Sequence, residues 1–283
     1  MKNDKLEEQL EMGATNRESL ARSLTGHPYH HPAIPQPSDP GITIWRYMDA
    51  WKFEWLVTNK RLLMPIASHL GDPLEGTTPN GELEWWNREA VNASTPEKRE
   101  IIEYNRSFLS RMAQVFRDRY YVGCWHMNSH ENGAMWKFYT TSPNAVAVKT
   151  SYSTLRAALP TYVEMGVVRY IDYAVGRLPS LNMFEYIMHK DKYYSFEQEV
   201  RVVVAPPAVK DLGLDDFMAN HFELESDPSF LVYAPAVDLE KLIAGVVMHP
   251  DSPDNFIQRV TELCTTHNLS PPERSRRTRK PSF

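Results

Sequence analysis

Two periodicities run along the chain and predict its elements. Apolar residues at Ile101, Tyr104, Phe108, Met112 and Val115 recur at helical spacing. Ser94-Thr95-Pro96-Glu97 just ahead supplies a cap, a first-turn proline and an acid three residues after Ser94, so a helix is predicted there. The other pattern is alternation. From Glu197 to Ala205 the residues at 198, 200, 202 and 204 share one face of a predicted strand. Val200, Val202 and Val204 make that the core face. Glu197, Glu199 and Arg201 then point together to the opposite face.

The same reading places strands at Ile42–Tyr47, Tyr120–His126, Ala145–Lys149, Val167–Tyr173 and Ala244–Met248. It places helices at Phe53–Leu63 (ending in a short extended piece), Glu131–Tyr139, Ser153–Leu159, Met183–Tyr194 and Pro253–Thr265. Gly71-Asp72-Pro73-Leu74-Glu75-Gly76 is a turn. Strands and helices are mixed, with irregular linkers and no internal repeat. That predicts an α+β fold: a single domain with a mixed, mostly antiparallel sheet and flanking helices. Pro28, Pro32, Pro35, Pro37 and Pro40 forbid regular structure after a short polar helix at Leu6–Leu24. The expected organisation is a flexible extension over 1–40, one domain over 41–270 and a flexible basic tail over 271–283.

Composition narrows the class. The chain has 283 residues, 42% of them hydrophobic, and a net charge of −5. That supports a packed core and argues against nucleic acid as the main partner. No apolar run approaches a membrane span and the N-terminus has no apolar signal core, so a soluble, cytoplasmic protein is expected. Cys124 and Cys264 stand apart from each other and from any Cys/His cluster, which predicts two core thiols. His27, His30 and His31 lack an acidic or thiolate partner nearby and read as a loop. Arg274-Ser275-Arg276-Arg277-Thr278-Arg279-Lys280 is expected to be a solvated terminus.

Candidate chemistry starts from Glu197 and Glu199. Two carboxylates two residues apart on a strand stand about 7 Å apart, with Arg201 to offset their repulsion. A salt-bridged, solvated strand face explains the pattern equally. Arg46, between Trp45 and Tyr47 in an apolar strand, must reach water, an acid or an anion. Trp125-His126 ends a strand before the polar turn Asn128-Ser129-His130-Glu131, where sites commonly sit, although His126 alone reads as structural. Thr150-Ser151-Tyr152-Ser153-Thr154 is hydroxyl-rich and also reads as a helix start capped by Ser153. Trp136 and Tyr139 read as core. No glycine-rich phosphate loop and no zinc-protease or hydrolase motif is present.

Cys124-Trp125-His126, Glu131, Met135-Trp136, Tyr139 and Ala145-Val146-Ala147-Val148 together resemble the bacterial domain-of-unknown-function family 2971. Val168-Arg169-Tyr170-Ile171-Asp172 and the stretch Lys190–Arg201 fit the same pattern, as do Arg46-Tyr47, Asp72–Gly76 and Leu242–Pro250. The likeness covers residues 42–270 and implies no activity. A second pattern is similar to ADP-ribosyltransferases of the arginine–serine–glutamate type: Arg46, then Thr150-Ser151, then Glu197-Gln198-Glu199, in that order. The middle motif departs from Ser-Thr-Ser. This resemblance implies NAD as co-substrate, with Arg46 on its pyrophosphate, Ser151 supporting the nicotinamide ribose and Trp125 or Tyr170 stacking on nicotinamide. His126 would belong to the same cofactor site. Glu199 would stabilise the developing oxocarbenium, and Glu197 would orient or deprotonate the acceptor. The acceptor, whether protein, nucleic acid or water, is not named by the sequence.

Two other readings stay open. One is a non-enzymatic module that binds a nucleotide or a partner through the same residues. The other is a metal-dependent hydrolase or nuclease with Asp172, Glu197 and Glu199 around magnesium.

Overall fold

The structure, a computed structural model, describes residues 33–160, 163–180, 182–204 and 231–276. The strands are β1 (Thr43–Asp49), β2 (Met64–Pro65), β3 (Tyr121–Met127), β4 (Ala145–Ser151), β5 (Glu164–Val167), β6 (Arg169–Ile171), β7 (His189–Asp191), β8 (Glu199–Val204), β9 (Val232–Tyr233), β10 (Gly245–Met248) and β11 (Glu273–Arg274). The helices are α1 (Ala50–Asn59), α2 (Asn80–Val91), α3 (Pro96–Arg117), α4 (Gly133–Tyr139), α5 (Tyr152–Ala158), α6 (Phe184–Met188), α7 (Leu239–Leu242) and α8 (Asp254–Thr266). A seven-stranded sheet runs in the order β11-β10-β4-β1-β3-β8-β5, antiparallel at every step except β10 with β11. Short pairs β2-β9 and β6-β7 lie outside it. This is the expected single α+β domain.

Both faces of the sheet are covered. Ile44, Met48, Trp125, Val146, Val148, Val200, Val202 and Val204 form one face, under Phe53, Leu56 and Val57 of α1, Leu155 of α5, and Phe256, Val260 and Cys264 of α8. On the other face, Val122 and Val203 meet Met112 and Phe116 of α3. Trp45, Tyr47 and Ala147 on that same side meet Met135 and Trp136 of α4. The valine alternation in β8 therefore reads correctly for the core face. The opposite face is not solvated: Glu199 and Arg201 are buried as well.

One break in the pairing positions everything that follows. β1 pairs with β4 along its whole length, from Thr43 with Ser151 to Asp49 with Ala145. Against β3 it pairs only at Ile44 with Met127 and Trp45 with His126. β3 keeps β8 along nearly its full length, from Tyr121 with Val204 to His126 with Glu199. The sheet thus forks between β1 and β3, joined at one end and open at the other.

Several expectations need correction. Helix α3 is capped by Thr95, whose hydroxyl accepts from the Lys98 N–H at 3.2 Å, not by Ser94. Its buried face is Leu109, Met112, Ala113 and Phe116, whereas Ile101 and Tyr104 are exposed. Only the second half of the helix has a core to face. The predicted strand over 167–173 is two strands, because β5 pairs with β8 and β6 leaves the sheet to pair with β7. That pairing also ends the predicted helix over 183–194 at Met188. Helix α2 was not predicted. The domain also reaches past both expected boundaries. Ile34 packs in the core, and Pro35 O accepts from Val167 N at 2.7 Å. At the other end β11 pairs with β10, and Ser275 is buried against Glu131. The predicted helix over 6–24 and the histidines at 27, 30 and 31 lie outside the described residues.

Val202 is fully buried in the larger core. Val202→Asp would place an unpaired charge there, at a cost of several kcal/mol. The variant is expected to be insoluble on expression; a soluble variant with a cooperative melt would show that these faces are assigned wrongly.

Candidate functional site

A cavity of about 560 Å³ opens at the fork. That volume suits a ligand of nucleotide size. Trp45, Arg46, Tyr47 and Met48 of β1 form one wall, and Val122, Cys124, Trp125 and His126 of β3 form another. Helix α1 contributes Trp51, Lys52, Trp55 and Leu56, and α4 contributes Met135 and Tyr139. Glu197 and Glu199 line the cavity from the β8 side. By alternation Arg46 and Glu199 belong to opposite faces of the sheet. Both reach one space only because the strands part after Trp45.

Arg46 is the cation at the fork, and Lys52 lines the cavity from α1. Its Nη2 donates to the Leu63 carbonyl at 2.6 Å and its guanidinium lies 5.8 Å from the Trp125 ring centroid. No carboxylate among the described residues pairs with it. Burial lowers its pKa to about 10, against a small opposing effect of Cys124, so it stays charged at neutral pH. Trp125 below it is buried, and its indole N–H has no acceptor among the described residues.

The acidic end is built differently. The strand reading put Glu197 in β8, two residues from Glu199. In the structure Glu197 closes a 3-10 helix over Lys192–Glu197, and Gln198 follows at φ 40°. That left-handed residue interrupts the alternation, and β8 begins at Glu199. Arg201 is completely buried. Its Nε and Nη2 donate to Glu199 at 2.8 and 2.9 Å, and Nη1 and Nη2 donate to Glu75 at 2.5 and 2.8 Å. Nη1 also donates to the Ile187 carbonyl at 2.6 Å, so all five N–H groups are engaged. Arg201 holds the Glu199 pKa down, to about 2, against the effect of burial; burial pushes Glu75 up. Lys190 bridges the acids, 2.6 Å from Glu197 Oε2 and 3.6 Å from Glu199 Oε2. Three carboxylates face two cations here, so no positive charge is left over for an anion.

His126 fixes the backbone at Glu197. Its Nδ1 lies 2.5 Å from the Glu197 carbonyl, which can only accept, so Nδ1 carries the proton. Nε2 then accepts from the side-chain amides of Asn128 and Asn132, both at 3.3 Å. Burial lowers its pKa and keeps the ring neutral. Glu197 accepts from the Lys190 ammonium at 2.6 Å and is hydrogen-bonded to the Tyr139 phenol, whose pKa is raised by burial and by the two acids. Of the two acids, Glu197 is the one that Arg201 does not hold.

The structure therefore brings Arg46, Trp125, His126, Glu197 and Glu199 into one cavity and leaves two predicted residues out. Ser151 accepts from the Thr154 N–H at 3.1 Å and donates to Thr154 Oγ1 at 2.7 Å; it caps α5 in place of Ser153 and does not line the cavity. The Tyr170 hydroxyl accepts from the Glu199 N–H at 2.9 Å, so this ring supports β8 from outside the cavity. Asp172 is half-buried, pairs with Lys192 at 2.6 Å and does not line the cavity, which removes the third ligand of the magnesium reading. Among the described residues no cluster of three or more His, Cys, Asp or Glu side chains could hold a metal. Nor is any described helix long and apolar enough to cross a membrane. Sequence reasoning missed Glu75, Lys190, Tyr47, Trp51 and Tyr139 as members or supports of the site. Lys190 opens the Lys190–Arg201 stretch already singled out, and Tyr139 reads as core from helical spacing; Glu75 lies in a turn and carries no periodic signal.

No protein-family model matches the chain, and neither does any curated protein or solved structure. The family resemblances above rest on the sequence motifs alone.

Proposed function

We propose that the cavity binds NAD and that the chain cleaves its nicotinamide–ribose bond, as an ADP-ribosyltransferase-like enzyme or an NAD glycohydrolase. One observation carries this reading: Arg46 and the Glu197–Glu199 pair, about 150 residues apart in sequence, line the same fork in the sheet. A half-buried arginine with no carboxylate partner among the described residues binds the diphosphate. The acidic end, which has no spare cation, repels phosphate and accommodates the ribose, where positive charge develops.

In the reaction the glycosidic C–N bond breaks and its electron pair leaves with neutral nicotinamide. The oxocarbenium forms beside ionised Glu199. Water or an acceptor hydroxyl attacks the anomeric carbon and passes its proton to Glu197, which lines the cavity. Ser151 takes no part. This assignment reverses the emphasis of the sequence pattern, because Glu199 is locked by Arg201, whereas Glu197 is held at the cavity wall by Lys190 and Tyr139 alone among the described residues.

The test is thermal unfolding with millimolar NAD while nicotinamide release is followed in the same samples. A ligand at about 100 times its dissociation constant adds about 2.7 kcal/mol, a shift of several degrees. Arg46→Ala is expected to remove that shift while the ligand-free midpoint moves little, since among the described residues the guanidinium makes one hydrogen bond. A shift without release leaves a nucleotide-binding module. Neither shift nor release removes NAD from the account.

A further inference from the structure

The fork has a direction. Trp45 sits in register with His126, which is in register with Glu199. The acidic end of the cavity therefore lies at the closed end of the fork. From Trp45 the chain runs through Arg46, Tyr47 and Met48 to Asp49 and into α1, about 13 Å of strand. At that far end the cavity is lined by Trp51, Lys52 and Trp55. Trp51 is 58% exposed, and the Lys52 ammonium lies 5.4 Å from its ring centroid. Trp55, one helical turn on, is half-buried on the same cavity wall. An indole left in water beside a cation at the mouth of a ligand-sized cavity is a stacking platform with an adjacent phosphate contact. Asp49, the residue before α1, does not cap the helix; its carboxylate accepts from the Thr141 N–H at 2.8 Å and hydroxyl at 3.0 Å. No carboxylate from that position competes for a phosphate at the start of α1.

We infer that Trp51, assisted by Trp55 and Lys52, is a nucleobase subsite, so that the ligand is a dinucleotide laid along β1 with its glycosidic end at Glu197 and its purine at α1. The inference rests on the NAD reading and extends it. It names which half of the molecule supplies affinity: the adenosine half holds the ligand, and the nicotinamide half is left to react. The two phosphates then fall between Arg46 and Lys52, the two cations along that path.

The experiment compares NAD, ADP-ribose and nicotinamide mononucleotide by titration calorimetry on the full chain and on Trp51→Ala and Trp51→Phe. Base stacking on an aromatic ring is worth about 5- to 150-fold in affinity. Trp51→Ala is expected to lose that factor for NAD and ADP-ribose, Trp51→Phe to recover most of it, and nicotinamide mononucleotide, which lacks the adenine, to bind all three proteins alike. Equal binding of NAD to wild type and Trp51→Ala overturns the subsite and leaves the NAD reading standing. So does an equal loss for all three ligands. Binding of ADP-ribose with the predicted Trp51 dependence, but no nicotinamide release from NAD, sustains the subsite and overturns the chemistry. A wild-type chain that binds none of the three overturns both.

Discussion

Arg201→Met is expected to destabilise the domain by about 3–5 kcal/mol, because it leaves two buried carboxylates without their cation. At this domain size that lowers the melting midpoint by roughly 6–20 °C. The physical basis is the closure of the guanidinium: five N–H groups, two carboxylates and one carbonyl, with no exposed surface. Such a group is costly to bury and more costly to half-remove. Adding Glu75→Gln and Glu199→Gln to Arg201→Met should recover part of the loss, since the unpaired charges disappear with the arginine. Thermal melts of the single and triple variants check both statements. A single variant that melts within 2 °C of wild type would mean that solvent reaches this cluster.

The second large effect is on turnover. Glu197→Gln is expected to lower nicotinamide release by about 10²–10⁴-fold, the usual range for a lost acid–base group. Its melting point should change little, because the amide oxygen still accepts from Lys190 and Lys190 keeps Glu199 at 3.6 Å. Glu199→Gln should behave differently. That side chain takes two hydrogen bonds from Arg201, so its amide weakens the buried cluster as well as the reaction. The strand reading alone predicts that Glu199→Gln leaves folding nearly unchanged. Burial of the acidic face reverses that expectation. Release assays and melts on the two variants separate the roles: activity lost with stability kept for Glu197, both lost for Glu199. Wild-type release from Glu197→Gln would remove it from the mechanism.

Much of the fold was legible because local chemistry and tertiary context agreed. The β-branched and aromatic run around Arg46, the Ala-Val-Ala-Val of β4 and the valines of β8 each have one reading as strands, and the structure agrees. The α+β class, Cys264 as a core thiol and the presence of Arg46, Trp125, His126, Glu197 and Glu199 as candidates also came from residue types and their order, whereas Cys124, expected in the core, is half-buried on the cavity wall beside Glu199. Where the sequence misled, a distant partner had overruled a local pattern. Met183–Tyr194 reads as one helix, but His189–Asp191 finds a strand in β6. Ile101 and Tyr104 keep helical spacing with no core beneath them. Ser151 has the chemistry of a ribose contact and the geometry of a cap.

The site itself was decided by tertiary structure. Alternation puts Arg46 and Glu199 on opposite faces, and no pattern along the chain announces that β1 and β3 separate after one pair of ladder partners beyond Ile44. Nor does it announce that a turn glutamate at position 75 closes over Arg201. The sequence by itself determined which groups could do chemistry and which faces must be buried, because composition and periodicity act over a few residues. Which of those groups share a space, and which are bound up in holding the sheet together, depends on contacts between residues more than a hundred positions apart, and only the folded chain sets those.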